Sequence, residues 1–231
     1  VPGYETTYSD DTFSITNTHE PKTLEIKGTK TWVDDNNRDG IRPGSITITL
    51  YKQVGDAEKA VKGTLIINGE SNDWSWTFGE LPAFENGTQI VYTIEETGVP
   101  AGYPSKVTSA TTDGDKPVVD YTITNTHVPA VTEVSGSKTW NDANNQDGKR
   151  PSSITIRLAA NGEEVASKEV KAEDGWNWKF TNLAKYTEGK VGEEIEYTIT
   201  EDAVNGYEAT INGYDVTNTH TLETKDVTVT K

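Results

Sequence analysis

The sequence predicts an all-β chain of two tandem β-sandwich domains. Three observations carry that expectation: short runs alternate apolar and polar residues, Asn, Asp, Gly and Pro cluster between those runs, and one ordered series of motifs occurs twice within 231 residues. Alternation with period two buries one face of a strand and wets the other. No stretch sustains the 3.6-residue period of an amphipathic helix.

In chain order, residues 13–19, Phe-Ser-Ile-Thr-Asn-Thr-His, match the block that closes each full repeat, so residues 1–19 read as the closing part of a preceding repeat. A first domain is expected over 22–127. It carries Lys30-Thr-Trp-Val-Asp-Asp-Asn-Asn-Arg-Asp-Gly-Ile-Arg-Pro43, Ile46-Thr-Ile-Thr-Leu50, Trp74-Ser-Trp-Thr-Phe78, Tyr92-Thr-Ile-Glu-Glu96 and Ile123-Thr-Asn-Thr-His127. A second domain, over 131–220, repeats the order as Lys138-Thr-Trp-Asn-Asp-Ala-Asn-Asn-Gln-Asp-Gly-Lys-Arg-Pro151, Ile154-Thr-Ile-Arg-Leu158, Trp176-Asn-Trp-Lys-Phe180, Tyr197-Thr-Ile-Thr-Glu201 and Val216-Thr-Asn-Thr-His220. Spacing drifts only between blocks, where loops tolerate insertion. Residues 221–231 end in Asp226-Val-Thr-Val-Thr-Lys231, which matches the opening block Leu24 to Lys30 and is expected to be the opening strand of a following repeat. His19-Glu-Pro21 and His127-Val-Pro129 read as short linkers.

Composition excludes several functions. With 37 acidic against 21 basic side chains the formal charge is −16, which disfavours phosphate backbones and anionic lipid. No nucleic-acid partner is expected. No run approaches the roughly 18 apolar residues of a membrane helix, so this segment is not expected to insert. Cysteine and methionine are both absent, which removes disulfides, thiolate nucleophiles and soft-metal sites and suits an extracellular setting.

Strand parity gives the candidate site. Ile26, Gly28, Lys30 and Trp32 share one face; Ile90, Tyr92, Ile94 and Glu96 share another; Tyr121, Ile123 and Asn125 a third. The second domain repeats the pattern with Val134, Gly136, Lys138, Trp140, then Ile195, Tyr197, Ile199, Glu201, then Tyr214, Val216, Asn218. Polar residues thus occupy core-facing register, and a buried charge costs several kcal/mol unless paired. One reading is a buried ion pair with an Asn serving nearby backbone groups. The other is chemical: burial among aromatic rings lowers a lysine pKa and raises that of a glutamic acid, so the amine can attack the Asn carboxamide while the acid shuttles protons and ammonia leaves.

The series Gly-x-Lys-x-Trp, an Asn/Asp-rich loop with Arg-Pro, Trp-x-Trp-x-Phe, Tyr-Thr-Ile-x-Glu, Gly-Tyr and Thr-Asn-Thr resembles the CnaB-type repeats of Gram-positive cell-wall-anchored adhesins and pilins. The resemblance covers essentially the whole chain. It implies a prealbumin-like, or inverse immunoglobulin, sandwich with a self-formed Lys–Asn isopeptide bond assisted by Glu. On that basis the cross-links are Lys30–Asn125 and Lys138–Asn218, with Glu96 and Glu201 as the assisting acids. Parity selects Glu96 over the adjacent Glu95. Asn17 and Lys231 match bond-forming positions without the rest of a domain and are expected to remain unreacted.

Rival sites are weaker. Trp74, Trp76, Trp176 and Trp178 alternate with polar residues and are expected in cores instead of on a sugar platform. Asp35 to Gly40 opens like a Ca²⁺ loop, but Ile46 occupies the position of the bidentate acid and Ala143 begins the second copy. No metal and no cofactor are expected. His19, His127 and His220 share one repeat position and are expected at domain joints.

The resulting expectation is a structural stalk that projects a ligand-binding tip from the cell wall. The chemistry is one autocatalytic turnover per domain, so no enzyme is expected. Expected partners are neighbouring repeats in the same chain and a host matrix protein held through another domain; the chain is expected to be monomeric, extracellular and anchored by a segment outside this one. A pilus shaft subunit and a directly ligand-binding adhesive module remain the alternatives.

Overall fold

The computed structural model describes residues 2–10, 13–69 and 73–231. Positions 1, 11 and 12 of the expected closing fragment, and 70–72 of the first domain, lie outside the described residues. Two compact units are present: Val1–Asn36 with Ile41–Val128, and Asn37–Gly40 with Pro129–Lys231.

Unit one begins with an antiparallel pair, β1 (Glu5–Tyr8) and β2 (Ile15–Thr18), in which Thr6 opposes Asn17. Eight strands follow: β3 (Thr23–Val33), β4 (Ser45–Val54), β5 (Ala60–Asn68), β6 (Ser75–Pro82), β7 (Phe84–Glu85), β8 (Thr88–Thr97), β9 (Ser105–Thr112) and β10 (Val118–Thr126). They form one sheet in the order β6-β3-β10-β9 and another in the order β5-β4-β8-β7. The alternation in β4 shows why the sheets stack: Ile46, Ile48 and Leu50 are fully buried, while the intervening Thr47 and Thr49 lie on the other face. Ile26, Ile123 and Trp76 from the first sheet complete the core between the layers. β10 runs parallel to β3 and antiparallel to β9.

Unit two repeats the arrangement with β11 (Val131–Asn141), β12 (Ser153–Ala160), β13 (Glu163–Lys171), β14 (Asn177–Ala184), β15 (Tyr197–Glu201), β16 (Glu208–Asn212) and β17 (Asp215–Thr219). Its sheets are β14-β11-β17-β16 and β13-β12-β15, with β11 and β17 again parallel. The sandwich expected for each unit is therefore the fold observed. Trp74, Trp76 and Trp178 are buried and Trp176 packs against the second core, as the alternation implied.

Two local differences from the sequence reading have physical causes. The strand read from Ile195 starts at Tyr197, because Glu196 gives its N–H to the Asn161 side chain and its carbonyl accepts the Asn161 N–H. A turn residue has taken the place of a ladder partner. Residues 221–231 carry no strand. In the full units the opening strands β3 and β11 are held on both sides by strands that come later in sequence, and residues 221–231 have no such partners.

The Asn/Asp-rich loops have a shared backbone signature. Asp35, Asn36 and Asn37 all have φ between 52° and 61°, and Ala143, Asn144 and Asn145 repeat this at 49° to 62°. Three successive left-handed residues are costly for most side chains and least so for Asn and Asp. That requirement accounts for the composition which, in sequence, looked like half of a calcium loop.

Candidate functional site

The site lies between the sheets near the end of β3. Lys30 follows Ile26 and Gly28 on the inward face of that strand, and its side chain is completely buried. Gly28 keeps this stretch open: a Cβ there would come within 2.4 Å of the Trp76 ring, and at the twin position Gly136 it would come within 1.7 Å of the Tyr214 carbonyl oxygen. Lys30 Nζ sits 3.6 Å from the centroid of the Trp32 ring and donates to the Thr31 carbonyl at 3.0 Å. Burial lowers its pKa to about 8, and the nearby Glu96 partly opposes the shift.

Glu96 approaches from the opposite sheet. It lies on β8 opposite Ile48 of β4, and its Oε1 is 3.7 Å from Lys30 Nζ. Glu95, one residue earlier, faces outward and accepts from the Tyr51 hydroxyl at 2.7 Å. Ser105 Oγ donates to Glu96 Oε2 at 3.2 Å.

Asn125 completes the set from β10, on the same sheet as Lys30. In the parallel β3–β10 pair Ile123 opposes Lys30 and Asn125 opposes Trp32, so the two polar side chains are diagonal neighbours on one inward face. Asn125 is 0% exposed, and neither its amide nitrogen nor its oxygen has a hydrogen-bond partner. An unsatisfied buried polar group costs about 1–3 kcal/mol.

Unit two has the same construction. Lys138 Nζ lies 2.6 Å from Glu201 Oε1 and 4.7 Å from the centroid of the Trp140 ring, and burial lowers the lysine pKa. Asn218 opposes Trp140 on β17, is 0% exposed, and has an unpartnered amide. Each unit thus gathers an amine of lowered proton affinity, a carboxamide without hydrogen bonds, and a carboxyl group within a dry, aromatic interior.

The fragment positions lack this setting. Asn17 is exposed on β2 and accepts from the Thr6 hydroxyl at 2.6 Å, and Lys231 is exposed outside any strand. Among the described residues no group of three His, Cys, Asp or Glu side chains could hold a metal ion.

A half-buried clamp beside each site went unread in the sequence, although the recurring Asp, Arg-Pro and Gly-Tyr carried its signal. Arg42 donates twice to Asp34, at 2.9 and 2.5 Å, and Tyr103 adds its hydroxyl at 2.9 Å. Arg150, Asp142 and Tyr207 reproduce the arrangement at 3.0, 2.6 and 2.9 Å. Paired donation of this kind is strong and geometrically selective, and it holds Asp142 well below the usual carboxylate range. Each clamp tyrosine packs edge-on against the tryptophan beside the lysine, Tyr103 on Trp32 and Tyr207 on Trp140. The opposite side of each ring set meets the repeated histidine: His127 lies 5.0 Å from Tyr103, His220 lies 5.2 Å from Tyr207, and Tyr4 with His19 repeats the contact at 5.2 Å.

Comparison with known proteins places these features in a family. A family model described as the Cna protein B-type domain matches residues 26–126 and 134–219. Collagen adhesin of Staphylococcus aureus is 40% identical over 218 residues, which cover 94% of this chain and 17% of that protein. This chain therefore corresponds to a small part of that relative's length. The crystal structure of two B repeat units of the collagen binding protein of Staphylococcus aureus matches with a TM-score of 0.66 and 38% identity, covering 96% of this chain and 55% of that one.

Proposed function

The chain belongs to the Cna protein B-type domain family, and from that premise we propose that its two units are stalk repeats of a Gram-positive surface adhesin. Each unit is locked by an amide between its buried Lys and Asn side chains. The observation that carries this reading is the pair Asn125 and Asn218, both fully buried with unpartnered amides beside a buried amine of lowered pKa. As a permanent arrangement it leaves polar groups unsatisfied twice over. As a reactant state it is ordered for reaction.

The chemistry balances without a cofactor. Neutral Lys Nζ attacks the Asn side-chain carbonyl carbon, with Glu in its acid form polarising the carbonyl oxygen. Glu then passes the proton lost from Nζ to the departing nitrogen, the C–N bond of the carboxamide breaks, and ammonia leaves. One neutral amide remains where a charged pair and an unsatisfied carboxamide stood. Each unit reacts once, so the protein is not an enzyme.

The mechanical role follows from strand order. Tension enters unit one at Thr23, travels along β3 to Lys30, crosses the amide to Asn125 and leaves through Thr126 on β10. β4 to β9 lie outside that path. Without the amide, the same pull would shear the hydrogen bonds between two parallel neighbours. The remaining features of the reading are extracellular display, a wall anchor elsewhere in the protein, and a host-matrix contact through another domain.

Intact mass under denaturing conditions tests the reading. A deficit of one ammonia per unit, with branched Lys30–Asn125 and Lys138–Asn218 peptides after digestion, is the expected result. A mass equal to that calculated from the sequence would leave both sets as ion pairs and end the cross-linked stalk reading.

A further inference from the structure

The two sites differ in the residue that opposes the asparagine. Ser105 opposes Asn125 in the antiparallel β9–β10 pair, so its hydroxyl lies beside the site, where it donates to Glu96 at 3.2 Å. The residue opposing Asn218 in unit two is Ala209, which has no hydroxyl to offer Glu201, and the Glu201 carboxylate meets Lys138 Nζ at 2.6 Å. The Lys–Glu separations differ as well: the shortest approach is 3.7 Å in unit one and 2.6 Å in unit two. Lys30 Nζ donates to the Thr31 carbonyl, whereas Lys138 Nζ has no such partner.

Resting on the Lys–Asn reading above, we propose that Ser105 is a positioning residue that slows amide formation in unit one relative to unit two, by holding the Glu96 carboxylate away from Lys30. The reactive form of each pair is the free amine with the neutral acid, reached when a proton passes from Nζ to the carboxylate. A hydroxyl donating to that carboxylate stabilises its charged form and opposes the transfer. In unit two the proton moves across a direct contact with nothing opposing it.

Other charges do not account for the difference. Beyond Glu96, Lys30 senses Arg42, which lowers its pKa, and Asp34, which raises it, so the two clamp charges oppose each other; Lys138 senses Glu201 alone. Glu95 on β8 faces outward against Tyr51. Opposite the buried asparagine, unit two replaces the Ser105 hydroxyl with the methyl group of Ala209. Ser105 is itself exposed, so its substitution removes a hydroxyl and opens no hole in the core.

The rates can be read from full-length chain assembled by peptide ligation and kept in guanidinium, so that no bond precedes folding. Diluting it into buffers from acid to alkaline pH, quenching at intervals, and quantifying each branched peptide follows both units in the same molecule. Ser105→Ala is expected to raise the plateau rate of unit one roughly three- to ten-fold. The rate of unit two serves as the internal control and should not change.

Ala209→Ser should slow unit two, and Ser105→Thr, which keeps the hydroxyl, should leave unit one slow. An unchanged rate for unit one in Ser105→Ala, or a fast unit one in Ser105→Thr, would overturn the proposal while the cross-link reading survives. Absence of branched peptide from the unaltered chain would remove both.

Discussion

Lys30 and Asn125 occupy adjacent strands that run in the same direction, and Asn125 stands one inward-facing position beyond the residue opposite Lys30. Lys138 and Asn218 hold the same relationship. A diagonal pair can be joined by the reach of the lysine stem without moving either backbone, which is the geometric condition for a bond that closes inside a finished fold. The expected outcomes below follow from this relationship and from the groups around it.

Glu96→Ala should leave unit one folded and uncrosslinked while unit two completes its bond. The intact mass would then exceed that calculated for the doubly linked form of the same variant by one ammonia. A branched Lys30–Asn125 peptide in the variant would remove Glu96 from the chemistry. Glu201→Ala should give the reciprocal result.

Lys30→Ala should lower the thermal and protease resistance of unit one, through the lost loop and through the polar Glu96 side chain left buried beside the space the lysine stem had filled. The double variant Lys30→Ala/Glu96→Ala removes the second effect. What then remains is the loss of a covalent loop spanning nearly the whole unit, on the order of 4–5 kcal/mol on a chain-entropy estimate. Calorimetry of both variants separates the two contributions. Equal stability of the double variant and the parent would contradict the mechanical reading of this unit.

Asn125→Ala leaves the amine free, and its stability should then depend on alkaline pH. The folded-state pKa of Lys30 is lowered to about 8 from 10.5. Between those values the unfolded chain holds a proton that the folded chain has released, so stability rises as pH increases through that window and levels off above it. Denaturant titrations of the variant should show the rise. In the cross-linked parent, Lys30 is an amide and contributes no such change.

The left-handed loops offer a prediction independent of the bond. Ala143 holds φ at 49° where unit one has Asp35 at 52°. Ala143→Asn should stabilise unit two by roughly 0.5–1 kcal/mol, and Asn144→Val should destabilise it by about 1–2 kcal/mol. The melting temperature of unit two, followed by calorimetry, checks both signs.

Much of this was legible before any coordinates, and the remainder divides along physical lines. Period-two alternation fixes which face a side chain takes, so Lys30, Glu96 and Asn125 could be placed inward one strand at a time. It does not say which strands pair. The parallel contact of β3 with β10, and the arrival of Glu96 from the other sheet, depend on pairings between distant segments. Ser105 was invisible for another reason: Ala209 stands at its twin position, so the repeat that exposed the other site residues gave no signal there. Of the Asp34–Arg42–Tyr103 clamp, only the spacing of Asp to Arg is the same in the two copies, and its three members meet only after the loop closes. Asn161 shortened β15 by a side-chain bond that alternation cannot foresee.

The division of the site between two layers also makes the bond a record of how the chain folded. Lys30 and Asn125 come from one sheet and Glu96 from the other, so the three meet only once both sheets have formed and stacked. A slip of one residue in β10 would turn Asn125 to the solvent face. On the chemistry proposed here, such a chain stays open and accessible to proteases, whereas the correctly registered chain becomes permanent. The reaction then acts as an inspection that every unit must pass before it is put under load.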